Sequence, residues 1–266
     1  MLHQKVRRLV GKFYRTCRPL GALYALRQRV TVAGSLQAPA FLREDYPLEW
    51  NMTIQERAAL VQLLDFVAPP VALEVGTNHG GSLQVIAPRA GRAYALDINP
   101  LVPEWLGAGL PQWLGAGFPN VTFRIGDSRE VLPRVLREIE SRGEELGFVL
   151  IDGDHSGDSI RQDINALLRY TPRRPVYVLL HDSFNPECRA GMLAADWQAC
   201  PHVHYLQLDF VGGLFVPMPK GLEMWGGFGL ALLLPQTRTG AFTPRQAGKP
   251  MFDVLHGFSR YAAAAA

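Results

Sequence analysis

Residues 73–82 read Leu73-Glu74-Val75-Gly76-Thr77-Asn78-His79-Gly80-Gly81-Ser82, and this stretch decides the fold. The apolar run Val71–Val75 has the character of a strand. It ends at Gly76 and turns through Gly80 and Gly81 into a helix expected to open at Ser82. A strand that runs into glycines and then a helix presents bare backbone N–H groups to a ligand. The spacing Gly76-x-x-x-Gly80, with Glu74 two residues before the first glycine, is not the Gly-x-Gly-x-x-Gly of dinucleotide binders. A nicotinamide-dependent oxidoreductase is set aside on that ground.

Further apolar runs follow the same plan. Arg92–Asp97 ends in a carboxylate 21 residues beyond Gly76 (97 − 76), about the offset at which βαβ nucleotide folds set an acid against ribose hydroxyls. Val121–Ile125 ends in Gly126-Asp127-Ser128, Phe148–Ile151 in Asp152-Gly153-Asp154-His155, and Val176–Leu180 in His181-Asp182-Ser183. Each run delivers polar residues at its carboxyl end, the edge where open α/β sheets bind ligands.

The glycine turn resembles the first motif of the class I S-adenosylmethionine-dependent methyltransferases. That resemblance implies a Rossmann-like α/β fold: a mostly parallel seven-stranded sheet, a terminal antiparallel pair and helices on both faces. It implies that Glu74, Gly76, Thr77, Asn78, Gly80 and Ser82 surround the methionine part of the cofactor. Asp97 then meets the ribose, Asp127 and Ser128 reach the adenine, and Asp152 closes the cofactor site. Glu74 is expected to brace the glycine loop through backbone N–H groups.

The fourth and fifth strand ends carry the chemistry. Neighbouring parallel strands lie about 4.8 Å apart, so Asp152, His181 and Asp182 converge. Oxygen ligands with one imidazole suit a divalent cation, Mg²⁺ or Mn²⁺. A metal on a substrate hydroxyl lowers its pKa and holds it in line with a sulfonium methyl. His155 is the best-placed base.

The run Ile151-Asp152-Gly153-Asp154-His155-Ser156, with Asp163 and His181-Asp182, is similar to the branch containing macrocin O-methyltransferase and the cephalosporin-hydroxylase-like proteins. The similarity covers roughly Ala72–Phe184. It implies methylation of a hydroxyl, often on a sugar, with Mg²⁺. Asp152 and Asp182 match metal ligands of that branch, and His155 its base. His181 departs from the pattern, since the branch carries Glu or Asp there. Trp50, Phe184, Asn185 and Trp225 are the candidates for contact with a carbohydrate acceptor.

Plainer roles compete with these. Asp154 and Asp158 suit caps of a helix opening near Ser159. His155 suits a prop for loop backbone, and His79 a turn residue. His202 and His204 read as half-exposed positions on a late strand. Two rival functions stay open. One is a metal-independent methyltransferase acting on a phenol, with His155 or His181 as simple base. The other is a non-catalytic module that binds S-adenosylmethionine.

Bulk properties set the frame. The chain has 266 residues, 48% of them hydrophobic, enough for one sizeable α/β domain with additions. No apolar run approaches the roughly 20 residues of a membrane span, and no secretory signal is recognisable. Cys17, Cys188 and Cys200 lack metal-type spacing and read as reduced thiols of a cytoplasmic protein. Residues 1–43 hold nine Lys or Arg and no acid. Val6, Leu9, Val10, Phe13, Tyr14 and Cys17 form one helical stripe there. Such a basic amphipathic helix suits docking on its own domain or on a second subunit of a homodimer. It also suits peripheral contact with an anionic membrane surface. Nucleic acid is not expected, because no recognised module is present and the remainder of the chain is acidic.

Three segments result: a basic helical extension with connector (1–50), the methyltransferase-like domain (51–235) and a C-terminal tail (236–266). Thr53-Ile54-Gln55-Glu56 has the form of a capping box, predicting a helix from Ile54 to about Phe66, stopped by Pro69-Pro70. The near-repeat Trp105–Gly109 and Trp113–Gly117 reads as a surface helix. Val203–Val211 and Phe228–Leu234 suit the terminal antiparallel pair. The tail is expected to loop over the surface, and the run Ala262–Ala266 carries no assignable role.

Overall fold

The computed structural model describes residues 48–109 and 118–264. The basic helix and most of its connector therefore lie outside the described residues, as does the second copy of the near-repeat. The strands are β1 (Val71–Val75), β2 (Arg92–Asp97), β3 (Val121–Ile125), β4 (Leu146–Ile151), β5 (Val176–His181), β6 (Val203–Val211), β7 (Leu214–Met218), β8 (Gly221–Trp225) and β9 (Phe228–Leu233). The main sheet has seven strands in the order β3-β2-β1-β4-β5-β9-β6. The first five pair in parallel, and β9 runs antiparallel to both β5 and β6. The order reverses between β1 and β4, which opens a crevice at their carboxyl ends.

Strand alternation divides the core. Leu73 and Val75 of β1 join one apolar cluster with Leu132 and Val135 of the helix Ser128–Ser141 and Ile160 and Ile164 of the helix Gly157–Leu167. Ala95 of β2 turns to the opposite face, against Leu83, Val102 and Leu106. Every residue of β1 is buried, as a central parallel strand covered on both faces requires. The acid in that run, Glu74, therefore has no route to water.

The helix α1 (Ile54–Val67) begins at a complete capping box. Thr53 accepts from the Glu56 N–H, and the Glu56 carboxylate accepts from the Thr53 N–H at 2.6 Å. It ends at Ala68 in a left-handed conformation, immediately before Pro69-Pro70. The helix Leu83–Ile86 opens after Ser82 as expected, but without the Ser82 hydroxyl as cap. That hydroxyl donates to Glu74 instead.

The terminal antiparallel pair forms as expected, β6 against β9, while β7 and β8 leave the sheet as a separate two-stranded hairpin. The tail packs closely. It carries a helix Lys249–His256 whose Phe252 is buried, and Gln246 accepts from the buried Arg189 guanidinium. Among the described residues, no helix is long and apolar enough to cross a membrane.

Candidate active site

A cavity of about 960 Å³ opens at the carboxyl edge of the sheet, at the β1/β4 reversal. One end lies beside the glycine turn and the ends of β2 and β3. The other end lies beside the ends of β4 and β5, under the β7–β8 hairpin.

At the first end, Gly76 adopts φ +87, and a side chain there would run into the backbone of Asp152 and Gly153. The missing Cβ thus lets the end of β1 close against the end of β4. The Asp97 carboxylate accepts from the Asn78 N–H at 2.7 Å and the Asn99 N–H at 2.8 Å. Each carboxylate oxygen has a second lone pair, so acceptor capacity remains toward the cavity. Asp127 caps the helix Ser128–Ser141 through the Arg129 N–H and pairs with the Arg129 side chain. That pairing holds the Asp127 carboxyl at about 2.

Gly76, Asn78, Asp97, Asp127, Ser128 and Asp152 line the cavity. Glu74, Thr77, Gly80 and Ser82 stand behind it. Glu74 is fully buried and accepts from the Ser82 hydroxyl, with Thr77 beside it. No Glu74 bond to loop N–H groups is formed among the described residues, so the brace runs through the Ser82 side chain. Burial pushes the Glu74 carboxyl up to about 8, which keeps it neutral over much of the physiological range.

The second end gathers titratable groups from three elements. Asp152 follows β4, His155 lies three residues on, His181 ends β5 and Asp182 follows it. His155 Nε2 stands 3.3 Å from Asp182 Oδ2 and 3.9 Å from Asp152 Oδ1, and its ring packs on Trp225 at 5.3 Å. Asp152 and Asp182 hold the His155 imidazole above its ordinary value against the opposing effect of burial. Asp182 sits at φ +57, a backbone state that costs a non-glycine residue of order 1 kcal/mol or more. Its carboxylate accepts from the Gly226 N–H at 2.5 Å, which fixes it despite that cost.

His181 is held on both sides. Its Nδ1 lies 2.7 Å from Asp152 Oδ1 and its Nε2 lies 3.0 Å from Glu56 Oε1. Ionised carboxylates can only accept, so this arrangement favours the protonated ring. Burial opposes that charge, but Asp152 and Asp182 outweigh it and raise the ring well above its ordinary pKa. Both ring nitrogens of His181 are thus engaged by carboxylates. The donor atoms that converge belong to Asp152, His155 and Asp182, all within 4.8 Å of one another.

Of the acceptor-side candidates, Trp50 and Trp225 line the cavity. Phe184 instead packs edge-on to Phe215 and Phe252, and Asn185 caps the helix Pro186–Leu193. The plainer reading of Asp154 has support, since it accepts from the Ser156 and Ser159 hydroxyls at the start of the helix Gly157–Leu167. Sequence reasoning missed Glu56, and of the β7–β8 wall it marked only Trp225. The capping-box motif marked Glu56 and gave it only a local role.

Residues 73–183 match the model of a family described as a methyltransferase domain. That segment, under half of the chain, is similar to a methyltransferase domain. Among solved structures, the chain is similar to an O-methyltransferase from Bacillus cereus in complex with SAH. Identity is 18%, coverage 77% of this chain and 88% of that one, and the TM-score 0.49. It is also similar to cofactor-bound Rv0187 from MTB, with 18% identity, coverage of 80% and 90%, and a TM-score of 0.49. A third likeness is to the O-methyltransferase TomG from Streptomyces achromogenes in complex with SAM. There identity is 18%, coverage 66% and 78%, and the TM-score 0.46. No curated protein sequence matches the chain. Within the matched segment, Asp97 and the glycine turn occupy one end of the cavity and Asp152, Asp182 and His155 the other.

Proposed function

We propose that this chain transfers the methyl group of S-adenosylmethionine to a hydroxyl, with His155 as base and a carbohydrate as the acceptor class. The carrying observation is that one cavity joins the cofactor-side residues Gly76 and Asp97 to the cluster Asp152, His155 and Asp182. The hydroxyl oxygen attacks the sulfonium methyl, the C–O bond forms as the C–S bond breaks, and S-adenosylhomocysteine leaves neutral. His155 takes the hydroxyl proton. The carboxylates of Asp152 and Asp182 stabilise the imidazolium so formed. Closure of the site around both reactants supplies orientation, the main requirement for an already activated methyl. Trp50 and Trp225 supply aromatic faces suited to a sugar ring.

The residues fit a divalent cation. Glu56, Asp152 and Asp182 carry three formal negative charges against the one positive charge of His181, so two remain for a divalent ion to balance. Asp152 and Asp182 would hold the ion, with hard oxygens suited to Mg²⁺ or Mn²⁺. When bound, such an ion lowers the pKa of a coordinated hydroxyl. A second reading, transfer without a metal, draws support from His181. Its charge already stands against Asp152 and, at 3.5 Å, Asp182.

The test incubates protein and methyl-labelled S-adenosylmethionine with a panel of glycosides and phenols, with and without chelator. Labelled ethers on sugar hydroxyls that disappear on chelation and in His155→Ala support the proposal. Chelator-resistant transfer supports the second reading. Cofactor binding with no transfer to any acceptor in the panel speaks against both.

A further inference from the structure

Glu56 lies outside the matched segment, yet it is 1% exposed and reaches the reacting cluster. A capping box needs one carboxylate oxygen, and Oε2 serves it by accepting from the Thr53 N–H. The other oxygen, Oε1, points into the sheet. It accepts from His181 Nε2 at 3.0 Å, 125 residues away, and from the Gly227 N–H at 2.6 Å, 171 residues away. One side chain thus ties the start of α1 to the end of β5 and to the turn joining β8 and β9.

The same turn grips the neighbouring acid. Gly226 and Gly227 adopt φ +72 and +81, and their successive N–H groups point to different carboxylates, Asp182 and Glu56. This turn is also the base of the hairpin that contributes Leu214, Val216 and Trp225 to the cavity wall. Burying a carboxylate is expensive unless donors surround it, and Glu56 has three. Burial works to raise its carboxyl, and His181 with Thr53 more than offsets this, so it stays ionised.

We propose that Glu56 is a positioning residue: through the bond from His181 Nε2 it fixes the imidazole so that Nδ1 faces Asp152 and Asp182, and through Gly227 it sets the hairpin wall against them. The proposal rests on the reading of Asp152, His155 and Asp182 as the reacting cluster. Glutamine cannot replace Glu56, because its single oxygen faces three donors and its NH₂ group meets one of them head-on. Removal of the helix cap alone, by Thr53→Ala, leaves the Glu56 carboxylate and its bond to His181 in place.

The test is nitrogen-15 NMR of histidine-labelled full-length protein, with the His181 signals assigned by their absence in His181→Asn. The wild type is expected to show a slowly exchanging, downfield His181 Nε2–H proton. Glu56→Gln moves that resonance upfield or loses it to solvent exchange, while Thr53→Ala leaves it in place. Glu56→Asp, which keeps the charge but withdraws it by one methylene, gives the same loss and covers the case in which Glu56→Gln does not fold. Calorimetric affinity for S-adenosylhomocysteine stays within twofold in folded variants, as Glu56 stands at the far end of the cavity from Asp97. An unmoved resonance in Glu56→Gln or Glu56→Asp overturns the proposal. So does an equal change in Thr53→Ala, which would reduce Glu56 to a helix cap. If the wild type fails to bind S-adenosylhomocysteine, the proposed function fails, and the NMR result still decides the role of Glu56 toward His181.

Discussion

His155 Nε2 lies 3.3 Å from Asp182 Oδ2, placing a half-exposed imidazole against a buried carboxylate at the mouth of the cavity. An imidazole so placed can take a proton from a bound hydroxyl and be stabilised in its charged form. His155→Ala is expected to lower methyl transfer by 10²–10⁴-fold, the usual worth of a positioned base. Affinity for S-adenosylhomocysteine should stay within twofold, because the cofactor end is untouched. Equal losses of transfer and of cofactor affinity would count against the assignment.

The pH profile follows from the same contacts. Asp152 and Asp182 raise the His155 pKa, and only the neutral ring acts as base. Activity therefore falls as pH drops through a midpoint above the ordinary imidazole value of about 6.5. Initial rates from pH 5 to 9 check this; a midpoint below that value would contradict it.

Asp182 tests the ion. With Asp182→Ala, transfer is expected to fall at least tenfold and to lose any response to added Mg²⁺ or Mn²⁺. In the wild type, a chelator should suppress transfer and excess Mg²⁺ restore it. Wild-type rates indifferent to both additions would favour the metal-free reading.

Glu74 supplies a stability test away from the chemistry. Its carboxyl titrates near 4.5 in the unfolded chain and is pushed up to about 8 in the fold, by burial first. Between those values the folded state holds a proton that the unfolded state lacks. Stability from this group therefore declines as pH rises through that window. Glu74→Gln, which still accepts from Ser82, should flatten this decline and melt a few degrees higher than the wild type at pH 8, where about 1 kcal/mol corresponds to roughly 2–4 °C. Parallel melting curves against pH for both proteins would contradict the neutral carboxyl.

Much of this architecture is legible from local pattern. The first five strands are apolar runs punctuated by Gly, Pro or acids, so β1, β2 and β3 fall where the sequence places them. The placement of Asp152, His155 and Asp182 follows from strand ends and parallel pairing. What local pattern cannot carry is pairing across the chain. The capping box shows Glu56 bonding three residues away, while its partner His181 stands 125 residues on. The sequence shows His181 as a ligand type, and only the fold brings carboxylates to both sides of its ring. The β7–β8 hairpin is legible only in part, through Trp225, because its strands are short and half-exposed, so no clean alternation marks them.

The central claim is most directly tested by calorimetric titration of S-adenosylhomocysteine into the wild type and Asp97→Ala. Saturable binding at one site, weakened at least tenfold by the substitution, is the predicted result. Absence of binding to the wild type, or equal binding by both proteins, would contradict the assignment of the cavity beside Gly76 and Asp97 to the cofactor.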